Sequence, residues 1–100
     1  MPYQVTDVPW YNRGMKEKQP QLKIERVQTG VRMEKRVLKV LKALAEYHDL
    51  TLGDLLEGIV LHAFEGKAPF SRETLKLVTE LKRIYKLDLD ATASHRLVEE

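Results

Sequence analysis

The chain contains no cysteine, and this absence excludes disulfide bonds, cysteine-based zinc sites and thiol catalysis. It also has no apolar run of about 18 residues, the length a transmembrane helix needs, so we expect no membrane partner. Its first residues lack the basic start and apolar core of a secretory signal. Together these absences favour a cytoplasmic protein.

The sequence also lacks any recognisable catalytic grouping. The histidines, His48, His62 and His95, have no second ligand at metal-binding spacing, and neither a glycine-rich phosphate loop nor a GxSxG motif occurs. Asp88 and Asp90 are spaced like the first ligands of a calcium loop, but the remaining ligands are missing, so we interpret them as helix caps. We therefore predict a protein that is not an enzyme and that uses no metal and no cofactor.

What the chain does have is an uneven distribution of charge. The formal net charge is only +2, yet Arg13 to Lys42 holds ten Lys or Arg against three acids. Ala43 to Gly66 holds five acids and no Lys or Arg. Such asymmetry fits a polyanionic partner on one face. The alternative reading is a solvated helix face joined to a flexible basic tail.

The pattern along the chain divides it into three parts. Residues 1–21 carry three of the four prolines and several aromatic side chains, which predicts a flexible basic and aromatic N-terminal arm. Residues 22–66 form a module of one strand and two helices, and residues 67–100 a C-terminal helical extension.

Helical periodicity and capping residues predict the helices. The first should run from about Glu34 to Tyr47, with an apolar stripe at helical spacing. The second should start at Thr51 as N-cap and continue through Phe64. A third should follow Ser71, and a short fourth helix should run from about residue 90 to residue 98.

The residues before the first helix alternate in polarity, which is typical of a β-strand. Over residues 27–33 one face would hold Val27, Thr29, Val31 and Met33, and the other Gln28, Gly30 and Arg32. An isolated strand must pair, and the simplest partner is the same strand of a second copy. A two-stranded ribbon of this kind fits the DNA major groove.

This order of parts resembles the ribbon-helix-helix family of bacterial and phage repressors, the Arc and MetJ type. The resemblance covers about residues 27–65 and consists of the strand VQTGVRM, the helix EKRVLKVLKALAEY, the turn HDL and the Thr-capped helix TLGDLLEGIVLHAF. It implies a mainly α fold, a ribbon-helix-helix dimer with one short β-strand and two helices per subunit. Here a C-terminal helical extension would follow.

The resemblance also implies which residues contact DNA. Three alternate outward residues of the strand read base edges, and the corresponding positions here are Gln28, Gly30 and Arg32. Glutamine suits adenine and arginine suits guanine, whereas Gly30 has no side chain to read a base.

Phosphate contacts are implied at the N-terminus of the second helix. The residues concerned there are Thr51, Leu52 and Gly53, whose amides lie at the positive end of the helix dipole. Arg26 and Lys35 lie in the basic stretch from residue 13 to residue 42 and would add further phosphate contacts.

The function predicted from these features is sequence-specific binding of double-stranded DNA by a homodimer, with repressor-like transcriptional regulation at the nucleoid. The alternative is a helical protein–protein interaction module with no DNA role, which predicts that residues 22–33 form a loop or extend a helix. Many antitoxins share the layout, with a partner-binding extension, so residues 67–100 are a candidate site for a protein partner.

Overall fold

The computed structural model describes residues 20–100, and within them the chain forms three α-helices and one short 3-10 turn. Helix α1 is Lys35–Tyr47, α2 is Leu52–Phe64, α3 is Arg72–Ile84, and the turn is Ala91–Ala93. The predicted N-terminal arm, residues 1–21, lies almost wholly outside the described residues. The three main helices agree with the sequence prediction to within one residue where a bound was predicted.

The predicted ribbon-helix-helix fold is wrong for the described part of the chain. Residues 20–33 form neither helix nor strand, and no β-strand occurs within residues 20–100. Alternating polarity selects strand structure only when a second strand accepts the backbone hydrogen bonds, and no other described segment does so. Gly30 further lowers the strand propensity of this segment. We call residues 20–33 the leading segment.

Each of the three helices begins with a side-chain cap. The oxygens of Glu34, Thr51 and Ser71 accept the backbone N–H groups of residues three positions on, at 2.9, 3.1 and 3.2 Å. Such caps satisfy amide groups that a helix leaves without an internal acceptor. The predicted caps Thr51 and Ser71 are confirmed. Glu34, predicted as the first residue of a helix, is instead the cap of α1.

The three helices also end in the same way. The N–H of Leu50, Lys67 and Leu87 each donates to a carbonyl five residues earlier, at 2.9, 2.9 and 2.8 Å. In each case the preceding residue is left-handed, with φ of 58° at Asp49, 70° at Gly66 and 57° at Lys86. This is the Schellman arrangement, which satisfies the last carbonyls of a helix. Aspartate tolerates the left-handed conformation that Asp49 adopts here.

The core lies where α1 meets α2 and α3. Leu44, Ala45 and Leu55 form its buried centre, and half-buried apolar side chains from all three helices surround them. Val40 is buried as well. The apolar stripe predicted for α1 is therefore its packed face, and α1 is the helix that holds the other two together.

The C-terminal part departs from prediction in two places. The predicted fourth helix is wrong, since only the 3-10 turn Ala91–Ala93 forms there, capped by Asp90. The apolar residues of α3 recur at helical spacing, which predicts a packed side that includes Leu75 and Ile84, but both of these residues are exposed. The packed side instead runs through Thr74, Leu77, Val78 and Leu81, with the Thr74 hydroxyl contacting Ser71 Oγ at 3.1 Å.

Candidate nucleic-acid interface

The three predicted base-reading residues all lie on the exposed leading segment. Gln28, Gly30 and Arg32 are accessible to solvent, as are their apolar neighbours in the segment. Apart from Gly30 and its two chain neighbours, no residue has an atom within 4 Å of the position that a Cβ of Gly30 would occupy. The segment is therefore open to a large partner along its length.

Arg26 joins the leading segment to α2. Its Nη2 donates to Glu57 Oε1 at 2.7 Å and its Nε donates to Oε2 at 2.9 Å, a two-pronged contact. This hydrogen bonding raises the pKa of Arg26 and lowers the pKa of Glu57. The predicted phosphate ligand Arg26 is thus paired with a carboxylate, and a phosphate that binds the same edge of its guanidinium would have to replace Glu57.

Arg32 is paired with a carboxylate from the other end of the described chain. Its Nε donates to Glu99 Oε1 at 3.3 Å, and its Nη2 forms an ion pair with Glu99 Oε2. Both side chains are largely exposed, at 84% and 66%. Exposed ion pairs contribute little to stability, so this contact is readily exchanged.

Arg36 anchors the start of α1 to the region after α3. Its Nη1 donates to the Lys86 carbonyl at 2.9 Å and to Asp88 Oδ1 at 3.1 Å, while its Nε donates to Glu34 Oε2 at 3.0 Å. The Val37 amide, and to a lesser degree Arg36, hold the pKa of Glu34 below its usual range. Arg36 therefore has a structural role.

A basic face remains on the solvent side of α1. Lys35, Lys39 and Lys42 are exposed and recur at intervals of four and three residues, so they share one side of the helix. The Lys39 ammonium lies 5.9 Å from the centre of the Tyr85 ring. Lys35 forms no ion pair with any residue of the described part of the chain, which suits the phosphate contact predicted for it.

The N-terminus of α2 offers first-turn amides at Leu52 and Gly53, and space is open beside Gly53. Thr51 caps the helix, as described above. The nearby acids Asp49 and Asp54 oppose an approaching phosphate, however, and Asp54 also attracts Arg26. The phosphate contact here stays a prediction, and these acids weaken it.

Helix α2 presents a second exposed surface, which is apolar. Val60, Leu61 and Phe64 lie on one side of the helix with Glu57, and Leu61 and Phe64 are 63% and 79% exposed. We call these four residues the outer face of α2. The apolar residues of α2 cover much of its circumference, which predicts burial between neighbours, but the described chain alone covers only the inner side of the helix.

Two further observations concern metal ligands and membrane-spanning helices within residues 20–100. No group of three or more His, Asp or Glu in this range is placed to hold a metal ion. None of the helices described here combines the length and apolar character needed to cross a membrane.

Comparison with models of known protein families found no match, and comparisons with curated proteins and with solved structures found none either. The resemblance to the ribbon-helix-helix family is therefore carried by the sequence pattern of residues 27–65 alone.

Sequence reasoning missed the carboxylates that face the basic residues. Glu57, Asp88 and Glu99 pair with arginines that lie 31, 52 and 67 positions away in the chain. No local pattern signals pairs so far apart. The only hint of such pairing was the contrast between the basic stretch from residue 13 to residue 42 and the acidic stretch that follows it.

Proposed function

We propose that this protein binds double-stranded DNA as a homodimer and regulates transcription. The observation that carries the proposal is the exposed basic surface that begins on the leading segment and continues along α1. Residues 20–42 hold seven Lys or Arg and two acids, and most of these cations are exposed. Cations displayed in this way attract phosphate and release counterions on binding.

In this proposal the leading segment makes the base contacts. Gln28 and Arg32 have the donor patterns that suit adenine and guanine, and Gly30 allows the backbone to approach closely. Arg26 and Lys35 contact phosphates on either side and fix the position of the segment. The segment acts as an irregular arm, which replaces the β-ribbon expected from the sequence.

The homodimer is supported by the outer face of α2. An apolar surface of this kind on a small soluble domain is usually covered by a partner. A second copy fits because the acidic stretch from residue 43 to residue 66 complements the basic stretch before it. The pair between Arg26 and Glu57 is an example of that complementarity within one chain.

The test is selection from a random duplex library by the purified full chain, at two salt concentrations, with its mass in solution recorded. We expect a dimer that enriches a short, roughly palindromic site and weakens steeply as salt rises. If the protein enriches no duplex from the library, even at low salt, the proposal is overturned.

Arg32→Ala sharpens the test, with Arg83→Ala as the matched control. Both arginines are exposed and each is paired with one glutamate, but Arg83 lies on α3 and its partner Glu80 belongs to the same helix. The Arg32 variant should lose about 1–3 kcal/mol of binding to the selected site and discriminate less at one position. The Arg83 variant should bind like the parent, and equal losses would remove Arg32 as a base reader.

A second candidate function is a helical module that binds another protein and not DNA. The absence of regular structure over residues 22–33 is what this hypothesis predicts. The exposed apolar outer face of α2 also suits it. In an antitoxin-like version the protein partner would bind residues 67–100. A monomer that enriches no DNA would favour this function.

A further inference from the structure

The region after α3 contacts Arg32, one of the basic residues that the proposed function uses. We define residues 86–100 as the tail and propose that it is autoinhibitory, with the Glu99 carboxylate bound to Arg32 in place of DNA. This inference rests on the proposed function, since it concerns the regulation of the same DNA-binding site.

Glu99 and DNA would compete for the same atoms. The Nε and Nη2 groups, which form one edge of the Arg32 guanidinium, are directed at the two carboxylate oxygens of Glu99. A guanine edge or a phosphate that binds this edge of the guanidinium needs the same N–H groups, because the fork binds planar pairs of acceptors. That edge of Arg32 holds one ligand at a time, so DNA bound there displaces Glu99.

The tail is held close enough for this competition to be effective. Arg36 follows Arg32 by four positions in the chain, and it binds the Lys86 carbonyl and Asp88. These contacts hold the start of the tail beside the N-terminus of α1. Further along, Asp90 accepts from the Thr92 amide at 3.0 Å, and Arg96 Nη1 donates to the Thr92 carbonyl at 3.0 Å. These contacts turn the chain locally, and tethering raises the effective concentration of Glu99 around Arg32.

The inhibition is expected to be modest and reversible. The pair between Arg32 and Glu99 is exposed on both sides, and pairs of this kind are weak and screened by salt. Removing the charge of Glu99 should therefore tighten DNA binding by about fivefold at low salt. The gain should shrink as the salt concentration rises.

Glu99→Gln and Glu100→Gln form a matched pair for the test. Both remove one negative charge from adjacent positions, but Glu100 forms no ion pair with any residue from 20 to 100. Binding of the full chain to a short labelled duplex of mixed sequence, and to the selected site, is measured by fluorescence anisotropy at several salt concentrations. The same substitution is repeated in an Arg32→Gln background.

The result expected is tighter binding by Glu99→Gln, parent-like binding by Glu100→Gln, and no gain from Glu99→Gln when Arg32 is replaced. Equal gains from the two glutamate variants would show a general charge effect and overturn the inference. A parent that binds DNA and gains nothing from Glu99→Gln overturns the inference alone. Failure of the parent and every variant to bind DNA overturns the proposed function together with it.

Discussion

Helices α2 and α3 have the same length, 13 residues, yet they differ in the kind of side chain that they expose to solvent. Helix α3 packs one side against α1 and exposes mostly charged residues on the other. Helix α2 buries Leu55 but leaves Leu61 and Phe64 exposed, and it carries no Lys or Arg. The comparison teaches that the core covers the side of α3 that carries Leu77, Val78 and Leu81. The described chain leaves the outer face of α2 uncovered.

The largest effect expected concerns the inner side of α2. Leu55 is 0% exposed and belongs to the core, so Leu55→Ala should lower the free energy of unfolding by about 2–5 kcal/mol through lost burial and a cavity. Leu75→Ala on α3 is the control, because Leu75 is half exposed, and it should change stability by about 0.5 kcal/mol or less. Urea denaturation of both variants measures the difference. Similar losses would mean that the two helices are not packed as described.

The next effect concerns the outer face of α2. Leu61→Glu places a charge in the proposed dimer interface and should raise the dimer dissociation constant by about tenfold or more. Leu75→Glu puts the same charge on a comparably exposed leucine of α3 and should leave the mass in solution unchanged. Analytical ultracentrifugation over a range of concentrations distinguishes the two. If both variants dissociate the dimer equally, the dimer interface cannot be assigned to α2 in preference to α3.

The sequence predicted helices and caps well because the signals that specify them are local. Thr51 and Ser71 mark helix starts with side chains that bond amides three residues away. The alternating residues 27–33 resemble a strand equally well on local grounds, but a strand depends on a second segment. The pairs Arg26–Glu57 and Arg32–Glu99 are also long-range, and no pattern within either segment specifies them.

A smaller effect compares the two caps. Thr51→Ala should cost about 1 kcal/mol because one amide of α2 loses its acceptor. Ser71→Ala should cost more, up to about 2 kcal/mol, since the hydroxyl of Ser71 also contacts the buried Thr74 hydroxyl. Thermal and urea unfolding of the two variants give the order. A larger loss at Thr51 would contradict the stabilising role given to the contact between the Ser71 and Thr74 hydroxyls.

The smallest effect concerns pH at the junction between α1 and α2. Burial lowers the pKa of His48, so the unfolded chain binds a proton there more readily than the folded chain does. The resulting stability is complete above about pH 6.5 and is lost as the pH falls through the lower folded-state pKa. His48→Gln should flatten this part of the stability profile. His95→Gln, in the exposed tail, is the control, and an unchanged slope in the His48 variant would contradict the assignment.

The left-handed residue at the C-terminus of each helix shows where this sequence could gain stability. Only α2 has glycine at the left-handed position, while α1 and α3 place Asp49 and Lys86 there. A side chain in that conformation costs roughly 1–2 kcal/mol relative to the right-handed one, a cost that glycine avoids. The chain therefore keeps unused stability at two surface positions, which an engineer could recover without altering the core, the leading segment or the outer face of α2.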